Sequence, residues 1–208
     1  PLIVVAPLRA LLTPVPDPAY LSQQIFTLAT GEHLDPQAAA DRLAAAGYLR
    51  VPTVTVHGEF ALRGEVLDLF VPGQDQAVRI TLDFDEITGI RSFDPLDQGS
   101  TGSLPGVTIT PCREVSFNAG LLENVRAGLR EQGFGEEEAA ERVSAIADDT
   151  ESGGVELFYP LCFPEQHSLL GYLGKAARVF LVDGDRLASN AAALRKEHLE
   201  LFRRARSR

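Results

Sequence analysis

The chain has 208 residues, of which 45% are hydrophobic and 23% are charged, and its formal net charge is -10. This composition is typical of a folded globular protein and excludes a disordered or collagen-like chain. The apolar runs are far shorter than the ~20 residues of a membrane span, and Cys112 and Cys162 lack neighbouring ligands for a zinc knuckle. We therefore expect a protein of the reducing cytoplasm with no membrane contact.

The first part of the chain contains one apolar run and two predicted helices. The run Leu2–Ala6 has the pattern of a buried strand, and the chain contains no methionine, so we expect a piece of a longer protein. An Asp-Pro pair favours the start of a helix, and such pairs precede a predicted helix at Tyr20–Leu28 and another that ends at Gly47.

The period of the apolar residues changes to two between Arg50 and Phe93. Such alternation is typical of strands that bury one face. We predict four or five antiparallel strands, joined by turns at His57-Gly58, Gly64, Pro72-Gly73 and Asp85.

The remainder of the chain alternates between predicted strands and helices after a linker at Pro95–Gly106. The predicted elements are strands at Val107–Ile109 and Arg178–Val182 and helices at Asn118–Gln132, Glu136–Asp148 and from about Leu187 onwards. Alternation of this kind is typical of parallel α/β domains. The predicted fold class is therefore an α+β insert domain, residues 10–97, carried by an α/β body made of residues 1–9 and 98–208.

Motifs for catalysis are missing from the sequence. There is no GxxxxGK[ST] phosphate loop, and Asp183 ends an apolar run without the Glu that would orient an attacking water. The four histidines have no partner at a recognisable spacing. We predict no catalytic residue, metal or cofactor; a divergent nucleotide hydrolase that uses Asp183 is the alternative.

Arginines and aromatic residues are concentrated in the strand region. They are Arg50, Arg63, Arg79 and Arg91, with Phe60 and Phe70 nearby in sequence. This combination is typical of an interface hot spot, although scattered surface charges on an amphipathic sheet would look the same. A second basic group, Arg203, Arg204, Arg206 and Arg208, could touch DNA phosphates, against the repulsion of the acidic chain.

Several blocks of sequence closely resemble the UvrB-homology module of transcription-repair coupling factors, the Mfd family. The blocks are Gly47–Val51, Gly58–Phe70, Val78–Ile80, Asp85–Ile87 and Ile90–Pro95, followed by Gly154–Phe163 and Leu169–Leu173. UvrB itself is the alternative, but this chain has Ala61 where UvrB usually carries the first arginine of its RVRG motif.

The resemblance implies a degenerate RecA/helicase-like body that has lost its ATPase and carries an antiparallel-sheet insert of the UvrB domain-2 type. It implies a docking module that recruits UvrA, the damage sensor of nucleotide excision repair, to stalled transcription. RNA polymerase and DNA would bind elsewhere in a longer ATP-dependent translocase. The candidate partner-binding residues are Arg50, Glu59, Phe60, Arg63, Phe70 and Arg79.

Arg63 is the residue for which we make the most specific prediction. In the predicted strand, Phe60 and Leu62 share one face while Ala61 and Arg63 share the other, so Arg63 is expected to point to solvent or a partner. Its replacement by Ala is then expected to change folding stability by no more than about 0.5 kcal/mol. Binding to UvrA is expected to weaken by roughly 2 kcal/mol, with Arg91→Ala as the control.

Overall fold

The computed structural model describes residues 3–148, 155–163 and 165–206. It divides into two compact units, Ala19–Asp148 and the pair of segments Pro1–Pro18 and Asp149–Arg208. The basic residue Arg208, and the side chains of Arg203, Arg204 and Arg206, lie outside what the structure describes.

Helices and strands follow one another in a mixed order. The α-helices are α1 Leu8–Leu12, α2 Pro18–Gln24, α3 Pro36–Ala45, α4 Ala119–Glu131, α5 Glu136–Asp148, α6 Tyr159–Cys162 and α7 Gly184–Arg206. The strands are β1 Phe26–Ala29, β2 Leu49–Arg50, β3 Glu59–Arg63, β4 Val66–Leu69, β5 Ala77–Asp83, β6 Glu86–Phe93, β7 Ser100–Leu104 and β8 Gly106–Ile109.

Helix α3 has the caps that the sequence predicts. The Asp35 carboxylate accepts hydrogen bonds from the backbone N–H groups of Gln37 and Ala38 at 2.8 and 2.9 Å. The chain leaves the helix through Gly47, whose φ of +89° favours glycine, and a Cβ there would lie 2.5 Å from the Arg113 side chain. The predicted helix is confirmed, and α3 packs Leu43 into the core.

A six-stranded sheet is the centre of unit Ala19–Asp148. Its strand order is β2-β3-β4-β5-β6-β7, and every neighbouring pair is antiparallel except β2 and β3, which are parallel. The predicted antiparallel region is therefore confirmed, although Val51–Val56 form a loop rather than part of a strand. One face of the sheet is apolar and packs with α3 residues in the main core.

The helix predicted before this sheet is partly wrong. The helix predicted over Tyr20–Leu28 ends at Gln24, and Phe26–Ala29 form β1, which pairs with β8. Thr27 and Thr108 face each other there, and their hydroxyl groups are 3.1 Å apart. The β-branched and aromatic residues Phe26 and Thr27 favour this strand over an extension of the helix.

The predicted linker is also partly a strand. Ser100–Leu104 form β7, the edge strand next to β6, and β8 begins at Gly106. Because these strands pair with β6 and β1, residues 98–109 belong to the same compact unit as the sheet. The structural division falls after Pro18 and Asp148, whereas the sequence-based division was 10–97 against 1–9 with 98–208.

Helices α4 and α5 agree with the predicted ranges. Asn118 caps α4 by accepting a hydrogen bond from the Leu121 N–H at 3.0 Å. Glu136, the first residue of α5, forms ion pairs with Arg126 and Arg130 of α4. The apolar stripe of α4 is buried at Leu121, Val125 and Leu129.

The predicted α/β body is not found in the described residues. Val179–Val182 form no strand and are 56% to 81% exposed, and Ile3–Val5 are likewise irregular and exposed. The described residues contain no parallel sheet beyond the β2–β3 pair. An apolar run alone predicts burial, but a strand forms only where another strand supplies hydrogen-bond partners.

None of the described helices is long and apolar enough to cross a membrane.

Candidate functional site

The second face of the six-stranded sheet places charged residues side by side. In the strand register Asp68 of β4 lies opposite Arg79 of β5, and Arg79 lies opposite Arg91 of β6. Ala61 of β3 lies opposite Asp68, and Arg63 is two residues further along β3. Residues that face each other across paired strands share a sheet face, so these side chains emerge together.

Arg63, Asp68 and Arg79 form an ion-pair group that we call the Asp68 cluster. Arg79 donates from Nε to Asp68 Oδ1 at 2.7 Å and from Nη2 to Oδ2 at 2.9 Å. Arg63 donates from Nη2 to Oδ2 at 2.5 Å. The Asp68 side chain is 0% exposed, while those of Arg79 and Arg63 are 25% and 48% exposed.

Arg79 also contacts an aromatic ring. Its guanidinium lies 4.7 Å from the centre of the Phe93 ring, in a cation–π contact. The hydrogen bonds to Asp68 raise the pKa of Arg79 above its usual value, against the opposing effect of burial. Arg79 is therefore a fixed cation that pairs with Asp68 in a bidentate arrangement.

Gln98 connects this cluster to two surface loops. Its amide nitrogen donates to the carbonyl groups of Val54 and Pro95 at 3.1 and 2.8 Å, and its amide oxygen lies 3.4 Å from Arg79 Nη2. Gln98 has a φ of 62°, in the left-handed region that non-glycine residues seldom occupy. These three contacts support the conformation.

Arg50 lies apart from the cluster, on the short edge strand β2. The residue is exposed, and β2 pairs in parallel with β3 through Arg50 and Phe60. No partner of its guanidinium is found within the described part of the chain. An exposed arginine without a partner keeps its hydrogen-bond donors free for another molecule.

Glu59 organises the loop before β3. Its Oε2 accepts hydrogen bonds from the Thr55 N–H, the Thr55 hydroxyl and the Val56 N–H at 2.7, 3.0 and 3.0 Å. Burial tends to raise the pKa of Glu59, but these hydrogen bonds outweigh it and the pKa is lowered. One of its carboxylate oxygens is therefore committed to the turn.

The expectation that Phe60 and Phe70 face a partner needs correction. Phe60 is 1% exposed and belongs to the main core, and Phe70 is 7% exposed and belongs to a smaller apolar cluster with Phe93 on the opposite face. The Phe70 ring also packs on His57, with ring centres 3.8 Å apart. The period-two pattern that identified both residues is also the pattern of a buried strand face. Both rings therefore support the surface from inside the fold.

The expectation for Arg63 is half correct. Arg63 does point away from the main core and is partly exposed, as the alternation in β3 predicts. It is not, however, a free surface residue, because its guanidinium pairs with the buried Asp68. The low folding cost expected for Arg63→Ala is therefore revised upwards, since part of the neutralisation of a buried carboxylate would be lost.

Sequence reasoning missed Asp68 and Gln98. Asp68 did carry a signal, since it is an acidic residue between Leu67 and Leu69 in a strand where its neighbours are buried. An ionised residue inside such a run needs a cation beside it. Gln98 had no comparable signal, because its position depends on how the loop returns to the sheet.

Within the described residues, the side chains that could serve catalysis do not assemble into a site. Asp183 precedes α7, where its carboxylate accepts a hydrogen bond from the Arg186 N–H at 3.2 Å. Among residues 3–148, 155–163 and 165–206 no group of three His, Cys, Asp or Glu side chains could hold a metal ion. Asp183 thus has a helix-capping role in this structure.

Comparison with known proteins adds the family context. Residues 26–114 match the UvrB interaction domain. The chain is 34% identical to the transcription-repair-coupling factor of Haemophilus influenzae over 82% of its own length and 15% of the relative's. It is 26% identical to the Escherichia coli transcription-repair-coupling factor over 96% of the chain and 17% of the relative.

A second kind of relative matches less of the chain. The UvrABC system protein B of Thermosipho africanus is 35% identical over 62% of this chain and 20% of that protein. The chain therefore spans about a fifth or less of the length of these relatives. Its six candidate partner-binding residues all lie within the stretch that matches the interaction domain.

Proposed function

The chain carries a UvrB interaction domain and is homologous to transcription-repair-coupling factors over most of its length, and from this premise we propose that it is a non-catalytic docking module for UvrA. In this role it brings UvrA, and with it nucleotide excision repair, to stalled transcription in the cytoplasm. ATP-dependent translocation and the contacts with RNA polymerase and DNA belong, in this proposal, to regions outside this chain.

One observation carries the proposal. Within residues 26–114, Arg50 and Arg63 present exposed guanidinium groups, and Arg63 is fixed by a buried carboxylate. Arginine is the residue best suited to bidentate recognition of a carboxylate, and partly buried arginines are common among interface hot spots. The surface is therefore suited to an acidic patch on a protein partner.

Arg50, Arg63 and Arg79 have different tasks in this proposal. Arg50 and the outer edge of Arg63 contact UvrA directly, and Arg79 supports Arg63 through Asp68. Glu59 holds the loop next to the surface, while Phe60 and Phe70 support it from inside the fold.

Isothermal titration of the purified chain into purified UvrA tests the proposal. The expected result is saturable binding with a dissociation constant in the micromolar range or below, and weaker binding at higher salt because the contacts are charged. Absence of any binding with tens of micromolar chain at low salt would refute the docking function.

The alternative of a divergent nucleotide hydrolase makes an opposite prediction. It requires ATP turnover by the chain that Asp183→Ala abolishes. We expect no turnover, because Asp183 caps α7 and lies in an exposed segment.

A further inference from the structure

Asp68 has no place in the sequence-based site, yet it is the most buried charged side chain among the residues described. It is 0% exposed, and the only other buried polar residue in the described ranges is Ser92. Burying a carboxylate is strongly unfavourable unless cations and hydrogen bonds compensate. A fold that only needed a filled position in β4 could use an apolar residue there.

The two arginines that compensate Asp68 are not equivalent. Arg79 uses both Nε and Nη2 on the carboxylate and is mostly covered, with the Phe93 ring beside it. Arg63 uses only Nη2 on the carboxylate and is 48% exposed. Its Nη1 lies 3.4 Å from the Pro52 carbonyl, which is a long contact. Most hydrogen-bond donors of Arg63 therefore remain available on the outer side.

This arrangement fixes an exposed arginine before a partner arrives. A free arginine side chain loses rotamer entropy when it is immobilised, and anchoring it within the free protein removes part of that loss from the binding step. One carboxylate neutralises only one of the two arginines, so the cluster keeps a net positive charge. A carboxylate of the partner is the group that complements it.

We propose that Asp68 is a positioning residue for docking, which orients the Arg63 guanidinium so that its outer donors meet a carboxylate on the partner. This inference rests on the proposed function. Asp68 itself touches no partner atom, since its carboxylate lies beneath the two arginines and is fully buried.

A binding cycle with Arg63→Ala and Asp68→Asn tests the inference. Arg63→Ala is expected to weaken UvrA binding about 30-fold and Asp68→Asn about 10-fold. The double variant is expected to bind no more weakly than Arg63→Ala alone, because Asp68 acts through Arg63.

Two control variants separate positioning from general destabilisation. Asp35→Asn makes the same chemical change at the cap of α3, where Asn also caps well, and is expected to bind like the parent. Leu43→Ala removes a fully buried side chain of α3 and lowers stability without touching the cluster. Measured below its unfolding temperature, Leu43→Ala is expected to bind UvrA like the parent, so a loss of stability alone does not imitate the effect of Asp68→Asn.

The possible outcomes are distinct. If the parent chain does not bind UvrA, the proposed function itself fails. Suppose that the parent binds and that Arg63→Ala weakens binding. If Asp68→Asn then binds like the parent, or if the two losses of affinity multiply in the double variant, Asp68 is only structural and the inference is overturned. If Asp68→Asn does not fold, Asp68→Asn/Arg79→Gln is compared with Arg79→Gln in its place, with the same expected 10-fold loss.

A measurement on the parent chain alone completes the test. In ¹⁵N relaxation experiments the Arg63 Nε–H group is expected to be more ordered than that of Arg91, which is an exposed arginine on the same face of the sheet. Equal mobility of the two groups in the free chain would overturn the inference whatever the variants do.

Discussion

The two faces of the six-stranded sheet differ in how they are stabilised. The face toward α3 is a continuous apolar core that includes Phe60, Leu67 and Ile80. The opposite face has a smaller apolar cluster around Phe93 and, beside it, the Asp68 cluster. The first face is held by burial of apolar area, and the second depends on a pair of arginines around one buried carboxylate.

Because of this difference, side chains on the two faces are expected to affect folding and docking differently. Side chains on the apolar face cannot reach a partner, so their loss affects binding only by unfolding the chain. On the second face the side chains of Arg63 and Arg79 are partly exposed, so their loss can affect both folding and binding. Variants on the apolar face are therefore expected to lower stability without a direct effect on affinity. Variants of the partly exposed arginines can lower both.

The largest expected effect is on the apolar face. Phe60→Ala removes a ring that is 1% exposed and is expected to lower the free energy of unfolding by about 3–5 kcal/mol. Urea unfolding followed by circular dichroism measures this loss. Phe60→Leu fills most of the volume and is expected to cost about 1.5 kcal/mol or less and to leave UvrA binding close to that of the parent. A large loss of affinity in a folded Phe60→Leu chain would restore Phe60 as a direct contact.

A smaller loss is expected from the charged side of the comparison. Asp68→Asn leaves Arg79 partly covered without its counter-charge and is expected to lower the free energy of unfolding by about 2–4 kcal/mol. Urea unfolding of this variant beside Asp35→Asn gives the matched comparison. A cost below about 0.5 kcal/mol, as for an ordinary surface change, would contradict a buried ion-pair role.

Acid should affect the loop beside the second face. The pKa of Glu59 is lowered from its ordinary value of 4.5, so its carboxylate stabilises the fold above that value and the contribution is lost as the pH falls through the lower, folded-state pKa. The difference in urea midpoint between the parent and Glu59→Gln is therefore expected to be larger at pH 6 than at a pH well below 4.5. A difference that does not change with pH would show that the Glu59 carboxylate does not hold the turn.

The smallest effects on folding are expected at Arg50 and Arg91. Both are exposed, and Ala at either position is expected to change the free energy of unfolding by no more than about 0.5 kcal/mol. Titration calorimetry is expected to separate them, since Arg50→Ala weakens UvrA binding about 10-fold and Arg91→Ala leaves it unchanged. Equal effects of the two variants would mean that the surface acts only through its total charge.

The sequence predicts the sheet and α3 well because their signals are local. Alternation identifies β3 to β6, and Asp35 with Gly47 marks the ends of α3. It also gives the direction of Arg63 from the parity of β3. These features depend on neighbours within one element, and a single sequence contains that information.

The features that the sequence did not predict correctly depend on partners distant in the chain. Val179–Val182 have a strand-like composition, but no neighbouring strand pairs with them in the described residues. The Asp68 cluster joins Arg63, Asp68 and Arg79 from three strands, so its existence follows from the register and not from any one segment. The same register explains why Phe60, which alternation places in a strand, is buried rather than presented to a partner.

Charge reversal at Arg63, beside the same reversal at Arg91, tests the central claim most directly. Both are arginines on one sheet face, but only Arg63 is paired with the buried Asp68. In titrations of folded chains into UvrA, Arg63→Glu is expected to abolish measurable binding through like-charge repulsion, while Arg91→Glu remains within a few-fold of the parent. Comparable binding by the two variants would contradict docking through the Arg63 surface.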